Sequence, residues 1–149
     1  MAANIYPIFP VSPWASSASL TNVSGCTTRA PIAHASLTIT PCFAVQLSTT
    51  STNGRRIDKI QVQGAASSIA ATNATQTVLL WMSDGTTGYV IDEILVPSTA
   101  ASTSNPAVNV AATYTDLVLP PTYTLWVSTT TTTTAATTAL IVTAFGGDY

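Results

Sequence analysis

The stretch TVLLWMSDGTTGYVIDEILVP, residues 77–97, contains two apolar runs separated by a short polar loop. The first run is apolar on both faces of an extended chain, a pattern that is typical of a central strand. The loop DGTTG contains glycine, as hairpin loops often do, and YVIDEILVP returns as the partner strand. The sequence therefore predicts an antiparallel hairpin that includes a central strand of the fold.

Alternating apolar and polar residues, typical of half-buried strands, occur on both sides of this hairpin. The alternating segments are 37–39, 43–48, 60–63, 123–127 and 140–144. A turn is predicted at Asn53-Gly54, and a long polar connection is predicted over 97–115. No segment shows sustained helical spacing. Seven or eight short strands with polar connections predict an all-β fold, an antiparallel β-sandwich of the jelly-roll kind.

Prolines are concentrated near the amino terminus, at Pro7, Pro10, Pro13 and Pro31. Each proline fixes φ, removes a hydrogen-bond donor and pushes the preceding residue toward extended geometry. We therefore expect an extended arm over residues 1–33, followed by a β-sandwich domain over residues 34–149. We expect the large side chains of this arm to cover either the subunit's own sandwich or a neighbouring chain. These side chains are Ile5, Tyr6, Ile8, Phe9 and Trp14.

Only 7% of the 149 residues are charged, against about 25% in an ordinary soluble protein. Small, weakly polar side chains must therefore cover much of the surface, which suits burial in an assembly. The formal net charge of -2 provides no basic field, so binding of nucleic acid or an anionic membrane is not expected. Prolines and a threonine run interrupt the uncharged stretches, which argues against a transmembrane helix. Because the first charged residue is Arg29, no export signal is expected either.

Three of the four basic residues, Arg55, Arg56 and Lys59, lie close together beside Asp58. A mixed cluster of this kind is usually a solvated strand end or an ion-pair network. The alternative is a polar contact between these basic residues and an acidic neighbouring protein.

The sequence contains no familiar catalytic motif. His34 is the only histidine, and no nucleophile motif, phosphate-binding glycine loop or His-Glu-x-x-His motif accompanies it. The acidic residues lack the spacing of a calcium loop, and two cysteines are too few for a four-ligand zinc site. We therefore expect no enzymatic activity, cofactor, metal or small-molecule substrate. Unreactive thiols are favoured for Cys26 and Cys42, with a disulfide bridge as the alternative.

Two features leave structural alternatives open. The threonine run from Thr129 to Thr134 is either a loop between the last two strands or an edge strand that pairs with another subunit. Trp81 and Trp126 lie in predicted strands, where packing in a core or an interface is favoured over stacking on a sugar ring.

Two stretches near the carboxyl terminus, LVLPPTYTLWVST at 117–129 and IVTAFGGDY at 141–149, add to these features. The first contains a proline turn followed by Tyr-x-Leu-x-Val-Ser, and the second has a Gly-Gly-Asp terminus. With its proline-rich arm and charge-poor sandwich, the chain resembles small all-β virion structural proteins of tailed bacteriophages, of the capsid decoration or cement type. The resemblance covers roughly the carboxyl-terminal third, and the long threonine run departs from it.

The resemblance implies a structural virion subunit that stabilises contacts between major capsid proteins. It also implies a jelly-roll body, a homotrimer, and synthesis in the bacterial cytoplasm followed by a place on the capsid exterior. The expected partners are the major capsid protein and other copies of this chain. One alternative is a tail, neck or baseplate subunit. An alternative of another class is a carbohydrate-binding β-sandwich module that uses Trp81, Trp126 or Tyr123 as stacking platforms.

Overall fold

A computed structural model describes residues 12–66 and 72–149 as an all-β fold built from antiparallel strand pairs. Eight of the strands have four residues or more, and one 3-10 turn, His34–Leu37, follows the second strand. The predicted all-β, antiparallel class is confirmed. The strands are β1 (Ser12–Leu20), β2 (Ile32–Ala33), β3 (Val45–Ser48), β4 (Arg55–Gly64), β5 (Thr72–Asn73), β6 (Gln76–Ser83), β7 (Thr87–Val96), β8 (Thr99–Ala100), β9 (Asn109–Leu119), β10 (Thr124–Thr129) and β11 (Leu140–Asp148).

Two sheets pack face to face. Sheet A has four strands in the order β1-β11-β4-β9, and sheet B has five in the order β2-β7-β6-β10-β3. Strands β5 and β8 form a separate two-stranded pair. Among the eight longer strands, the first pairs with the last, the second with the seventh, the third with the sixth and the fourth with the fifth. The strand pairs are therefore nested inside one another along the chain.

The main core lies between the inner faces of the two sheets. In β11, Leu140, Val142 and Ala144 are fully buried, whereas the intervening Ile141 is exposed. This alternation confirms the strand predicted over 140–144. Burial of each large aliphatic side chain contributes about 1.5–3 kcal/mol, so a core of this kind supplies the main favourable term in folding.

Strands β6 and β7 form the predicted hairpin. The Asp84 carboxylate closes the loop by accepting hydrogen bonds from the backbone N–H groups of Thr87 and Thr86, each at 2.7 Å. These two bonds, chiefly the one from Thr87, lower the pKa of Asp84 below its usual value. Gly85 has a positive φ of 89°, a conformation that glycine adopts at no steric cost.

A second core covers the outer face of sheet B. Residues 21–44, which we call the cover segment, pack Leu37 and neighbouring apolar side chains against Leu79, Trp81 and Trp126. The apolar side chains of β6 are therefore buried on both faces of the strand. This double burial confirms the central strand predicted from the apolar run.

A disulfide closes the cover segment. Cys26 and Cys42 are both buried in the second core and are bonded to each other. The favoured expectation of two thiols is therefore wrong, and the alternative, a bridge, is observed.

The segment at 37–39 is not a strand. Residues His34–Leu37 form the 3-10 turn, Leu37 is fully buried and Ile39 is 56% exposed. Leu37 packs directly over β7 at Gly88, where an added Cβ would lie 3.0 Å from the leucine side chain. The expectation of a strand is wrong because the position of Leu37 depends on this tertiary contact, not on local alternation.

Part of the expected arm belongs to the sandwich. All nine residues of β1 pair with β11, and Ala18 and Leu20 lie in the main core. The sandwich therefore includes Ser12–Leu20, which lie before the expected boundary at residue 34. Pro13 is compatible with this position because β1 is an edge strand. The arm residues that lie outside the described residues are Ile5, Tyr6, Ile8 and Phe9.

The threonine run is a loop after its first residue, Thr129, which ends β10. The Thr133 N–H donates to the Val23 carbonyl at 2.8 Å, and the Val23 N–H donates to Thr133 Oγ1 at 3.1 Å. The Gly25 N–H likewise donates to Thr132 Oγ1 at 3.3 Å. Threonine hydroxyls thus replace backbone acceptors and attach the loop to the cover segment of the same subunit.

Residues 109–115 form the first part of β9, whereas they were expected to belong to a polar connection. Val110, Ala112 and Tyr114 are half-buried and pack against the main core. The expectation is wrong because the adjacent alanines Ala111 and Ala112 obscure the alternation of inward and outward side chains in the sequence.

One side-chain hydrogen bond joins the two sheets. Tyr114 lies on β9 in sheet A, and its hydroxyl donates to Asp92 Oδ2 on β7 in sheet B at 2.5 Å. The pairing of β9 with β4 and the pairing of β7 with β6 are both irregular near these two residues, as is typical of a β-bulge that redirects a side chain. Burial of the phenol is the main reason why the pKa of Tyr114 lies well above its usual value of 10.0, and the hydrogen bond to Asp92 raises it further.

The double variant Cys26→Ala, Cys42→Ala is expected to lower the free energy of unfolding by about 3 kcal/mol. The physical reason is that the bridge restricts the unfolded chain by linking residues 16 positions apart. Urea unfolding followed by tryptophan fluorescence measures the change, since Trp81 and Trp126 lie under the cover segment. Wild-type protein in a thiol reductant is the control, because it lacks the bridge but keeps both cysteine side chains. Equal stability of the oxidised and reduced wild-type proteins would contradict the prediction.

At alkaline pH, Tyr114→Phe is expected to lose less stability than the wild type. Because folding raises the pKa of Tyr114, the unfolded chain releases this proton first, and wild-type stability declines as the pH rises above 10.0. Phenylalanine has no such proton, while the other tyrosines affect both proteins alike. Urea midpoints of the two proteins, compared from neutral to strongly alkaline pH, measure the difference. Parallel pH profiles would show that the hydroxyl group is not held in this way.

Candidate interaction surface

Trp14 is one of the predicted interface residues of the arm, and it lies half-buried near the start of β1. At this end of sheet A, β1 begins, β11 ends and β4 begins. The guanidinium carbon of Arg55 lies 4.0 Å from the centroid of the Trp14 ring, which is a cation–π distance. Trp14 is therefore held by the sandwich of its own subunit.

Arg55 is 5% exposed, and each of its guanidinium nitrogens has an acceptor. Its Nε and Nη2 donate to the two carboxylate oxygens of Asp148 at 2.5 and 3.1 Å, and its Nη1 donates to the Thr49 carbonyl at 3.2 Å. We call Trp14, Arg55 and Asp148 the Arg55 cluster. The cluster links β1, β4 and β11, so the charge of Arg55 is already matched inside the subunit.

Arg56 and Lys59 have different surroundings from Arg55. Arg56 donates to both carboxylate oxygens of Asp58 in an exposed ion pair, and the hydrogen bond to Asp58 raises the pKa of Arg56. Lys59 donates to Gln61 Oε1 at 3.2 Å and lies above the Phe145 ring. Within residues 12–66 and 72–149, Lys59 has no carboxylate partner. Of the three predicted polar contact residues, Lys59 is thus the best placed to meet an external carboxylate.

Outward-facing side chains of sheet A align across its four strands in three rows, which we call the outer face. Apart from Lys59, the side chains of these three rows are uncharged, and Ile141 and Phe145 are large apolar residues that are each more than a third exposed. The rows are Ser19, Ile141, Gln63 and Asn109, then Ser17, Thr143, Gln61 and Ala111, and finally Ala15, Phe145, Lys59 and Thr113. A fourth row, which is not counted in the outer face, contains Arg56 and its ion pair with Asp58.

The outer face shares two chemical features with the buried centres of protein interfaces. Hydroxyl and amide groups cost far less to remove from water than charged groups do. The buried centres of protein interfaces are likewise poor in charge and contain aromatic side chains. Phe145 provides such an aromatic group, and Ser17 and Thr143 already satisfy each other through a 2.9 Å hydrogen bond.

The Gly-Gly-Asp terminus has a structural role beside this face. At Gly146, β11 approaches β4 so closely that an added Cβ would lie within bonding range of the Arg56 carbonyl oxygen. The register between the two strands shifts at this point, next to Asp58. Glycine permits the close approach, and Asp148 two residues later then reaches Arg55.

The two central tryptophans lie in the second core, as predicted for core packing. Trp81 is fully buried and donates its indole N–H to Ser128 Oγ at 2.9 Å. Trp126 is 8% exposed and donates to Thr124 Oγ1 at 2.8 Å. Rings packed in this way present no open face on which a sugar can stack.

His34 lies at the start of the 3-10 turn, with Nδ1 2.8 Å from Ser83 Oγ. Its ring also meets Trp126 edge to face, with the two centroids 5.5 Å apart. Ser83 is fully buried, so its hydroxyl is closed to an external substrate. The pair attaches the turn to β6.

Two surface cavities lie at opposite ends of sheet A, and no charged residue lines either of them in the part of the chain that the structure describes. The larger, of about 370 Å³, lies beside Val108 and Asn105, and the smaller, of about 310 Å³, beside Pro120 and Tyr149. Among the described residues, no group of three His, Cys, Asp or Glu side chains is placed to hold a metal ion. In the same ranges, no helix is long and apolar enough to cross a membrane.

Comparisons with protein-family models, curated proteins and solved structures found no match to this chain. Function is therefore inferred from the residues of the chain and their arrangement.

Asp148→Asn is expected to lower the free energy of unfolding by about 2 kcal/mol, because it leaves the buried Arg55 without an opposing charge. The loss is smaller than for a fully buried pair because the Asp148 side chain is 33% exposed. Urea unfolding at neutral pH measures it. The control is Asp58→Asn, which removes the same type of partner from the exposed Arg56 and should change stability little. If the two variants lost equal free energy of unfolding, the Arg55 cluster would have no special structural role.

Proposed function

We propose that this chain is a structural subunit of a tailed-phage virion, and that it acts as a capsid decoration or cement protein that stabilises contacts between major capsid proteins. The observation that carries the proposal is the outer face of sheet A, which exposes Ile141 and Phe145 among side chains that are uncharged apart from Lys59. A protein that stays monomeric in solution usually carries mixed charges over such a surface. This face instead suits burial against another protein.

A jelly-roll body is part of the proposal. The nested pairing of the eight longer strands supports it, because jelly rolls arrange eight antiparallel strands in two packed sheets. The relevant orders are β1-β11-β4-β9 and β3-β10-β6-β7, with β2 added beside β7. Viral capsid proteins, lectins and cupins all use this architecture, so the choice among them depends on the surface and not on the fold.

The stretches that resemble phage virion proteins contribute to both sheets. Residues 117–129 supply the end of β9 and all of β10, and residues 141–149 supply most of β11. The Gly-Gly-Asp stretch supplies the close approach at Gly146 and the partner of Arg55. These roles give the resemblance a physical basis in the stability of sheet A.

The proposed contacts are of two kinds. The outer face would meet the major capsid protein, with Lys59 opposite a carboxylate. Ile5, Tyr6, Ile8 and Phe9 would contact the capsid or another copy in a homotrimer, starting from the fixed position of Trp14. Contacts of this kind rely on desolvated area and aromatic anchors more than on ion pairs.

An exterior position on the particle is proposed for the assembled subunit, after synthesis in the bacterial cytoplasm. The Cys26–Cys42 disulfide supports this position, since disulfides persist in oxidising surroundings. A released particle meets such surroundings, whereas the host cytoplasm is reducing.

A tail, neck or baseplate subunit would use the same features. Electron micrographs of particles with a labelled copy of this chain separate the two, because a decoration protein covers the head and the alternative lies at or below the neck. A carbohydrate-binding module is disfavoured by the burial of Trp81 and Trp126.

Deletion of residues 1–11 is expected to weaken binding to capsids that lack this chain by tenfold or more, equal to about 1.4 kcal/mol. The deletion stops before Ser12 so that β1 and its pairing with β11 remain intact. Circular dichroism and thermal unfolding check that the sandwich stays folded, and cosedimentation with capsids measures binding. Unchanged binding would reject the role of the arm.

Thr143→Asp, at the centre of the outer face, should also weaken capsid binding, because it places a charge in a desolvated contact. The matched control is Thr103→Asp, which adds the same charge at an exposed loop position that belongs to none of the three rows. Equal binding by the two variants would reject the outer face as the contact surface.

A further inference from the structure

We propose that two copies of this chain pair through the open edge of β9, antiparallel about a two-fold axis, so that their two copies of sheet A become one continuous eight-stranded sheet. The proposal does not rest on the virion function, and each can fail without the other. The part of β9 concerned is 109–113, where its pairing with β4 is regular.

The register identifies which backbone groups of β9 face the open edge. The Gly64 N–H donates to the carbonyl of the directly opposite Val108 at 2.8 Å. Antiparallel partners alternate between hydrogen-bonded and non-hydrogen-bonded pairs, so Val110 and Ala112 also direct their backbone groups toward β4. The backbone N–H and C=O groups of the residues between them point away from sheet A. These residues are Asn109, Ala111 and Thr113.

The other sheet edges carry protection that β9 lacks. β1 has Pro13 at its amino-terminal end, β3 has only four residues, and β7 is partly covered by β2. Proteins usually blunt exposed edges with lysine, proline, short strands or covering segments. β9 has 11 residues, with no lysine, arginine or proline, and Asp116 is its one charged residue. Within the described ranges, no backbone partner is present on the outward side of 109–113.

The sequence of this edge is complementary to itself. With Ala111 of one copy opposite Ala111 of the other, Asn109 faces Thr113 on the outer side, and Val110 faces Ala112 on the core side. The outward N–H and C=O groups of the three edge residues then all form hydrogen bonds with the opposite residue of the second copy. No charged side chain is placed opposite another, so the like-charge repulsion that disfavours strand pairing is absent.

Side-chain burial adds to the backbone bonds. Val110 and Ala112 are only half-buried in the single subunit, and a neighbouring strand would cover them further. The outer faces of the two copies would also join across the new pair, which doubles the uncharged surface available to a common partner. A second copy therefore fits the edge by geometry, by charge and by apolar contact.

The test uses the whole chain and depends on Ala111 of one copy lying opposite Ala111 of the other. Ala111→Lys and Ala111→Asp each place two like charges opposite each other, so each variant alone should raise the dissociation constant of the pair about tenfold or more, with a native mass half that of the wild type. An equimolar mixture of the two variants places lysine opposite aspartate and should restore the wild-type mass. Sedimentation velocity over a wide range of protein concentration measures all four samples.

The matched control is Gln61→Lys, which puts the same charge on β4, beside Ala111 but one strand in from the edge. It should keep the wild-type mass. Thermal unfolding verifies that each variant is folded, which is expected because Ala111 is exposed and directs its backbone groups outward. Single variants with the wild-type mass, or a mixture that fails to regain it, would overturn the proposal. A wild-type chain that stays monomeric at every concentration would overturn it as well.

Discussion

Strands β6 and β10 have apolar side chains buried on both faces, and this double burial determines how the rest of the chain is arranged. Their inward side chains, such as Leu80 and Val127, require sheet A as a partner, and their outward tryptophans require the cover segment. The disulfide and the threonine loop hold that segment in place. The apolar side chains of this charge-poor chain are therefore divided between two cores instead of one.

The elements that could be predicted from sequence are those with strong local contrast. The β6–β7 hairpin and β11 have long apolar patterns, and both are present. The first part of β9 was not predicted because the adjacent alanines Ala111 and Ala112 interrupt the alternation of polar and apolar side chains. At 37–39, two alternating residues suggested a strand, although Leu37 takes its position from a contact with Gly88 far along the chain. Prolines correctly indicate extended chain at β1, but an arm and an edge strand are both extended, and only the non-local pairing with β11 separates them.

In the candidate surface too, the sequence predicted which residues matter locally but not the contacts that depend on strand pairing. Sequence reasoning identified Arg55, Arg56 and Lys59 as a cluster, yet the alternation of β4 and the register shift beside Asp58 give each a separate environment. The stacking of Trp14 on Arg55, and the binding of Arg55 by Asp148, join residues from the two ends and the middle of the chain. No motif signals this arrangement. Composition predicted an uncharged surface, but its place on sheet A follows only from the register of four strands.

The distribution of exposed, uncharged surface follows from what the chain covers by itself. The cover segment occupies the outer face of sheet B, whereas no comparable segment among residues 12–66 and 72–149 covers the outer face of sheet A. A sequence with little charge has few means of blocking sheet edges, and it uses proline in β1, shortness in β3 and an added strand beside β7. Among the described residues, the regular part of β9 carries none of these devices, and it adjoins the outer face. A strand that paired with β9 would therefore extend the outer face without a break, because the edge and the face belong to one sheet.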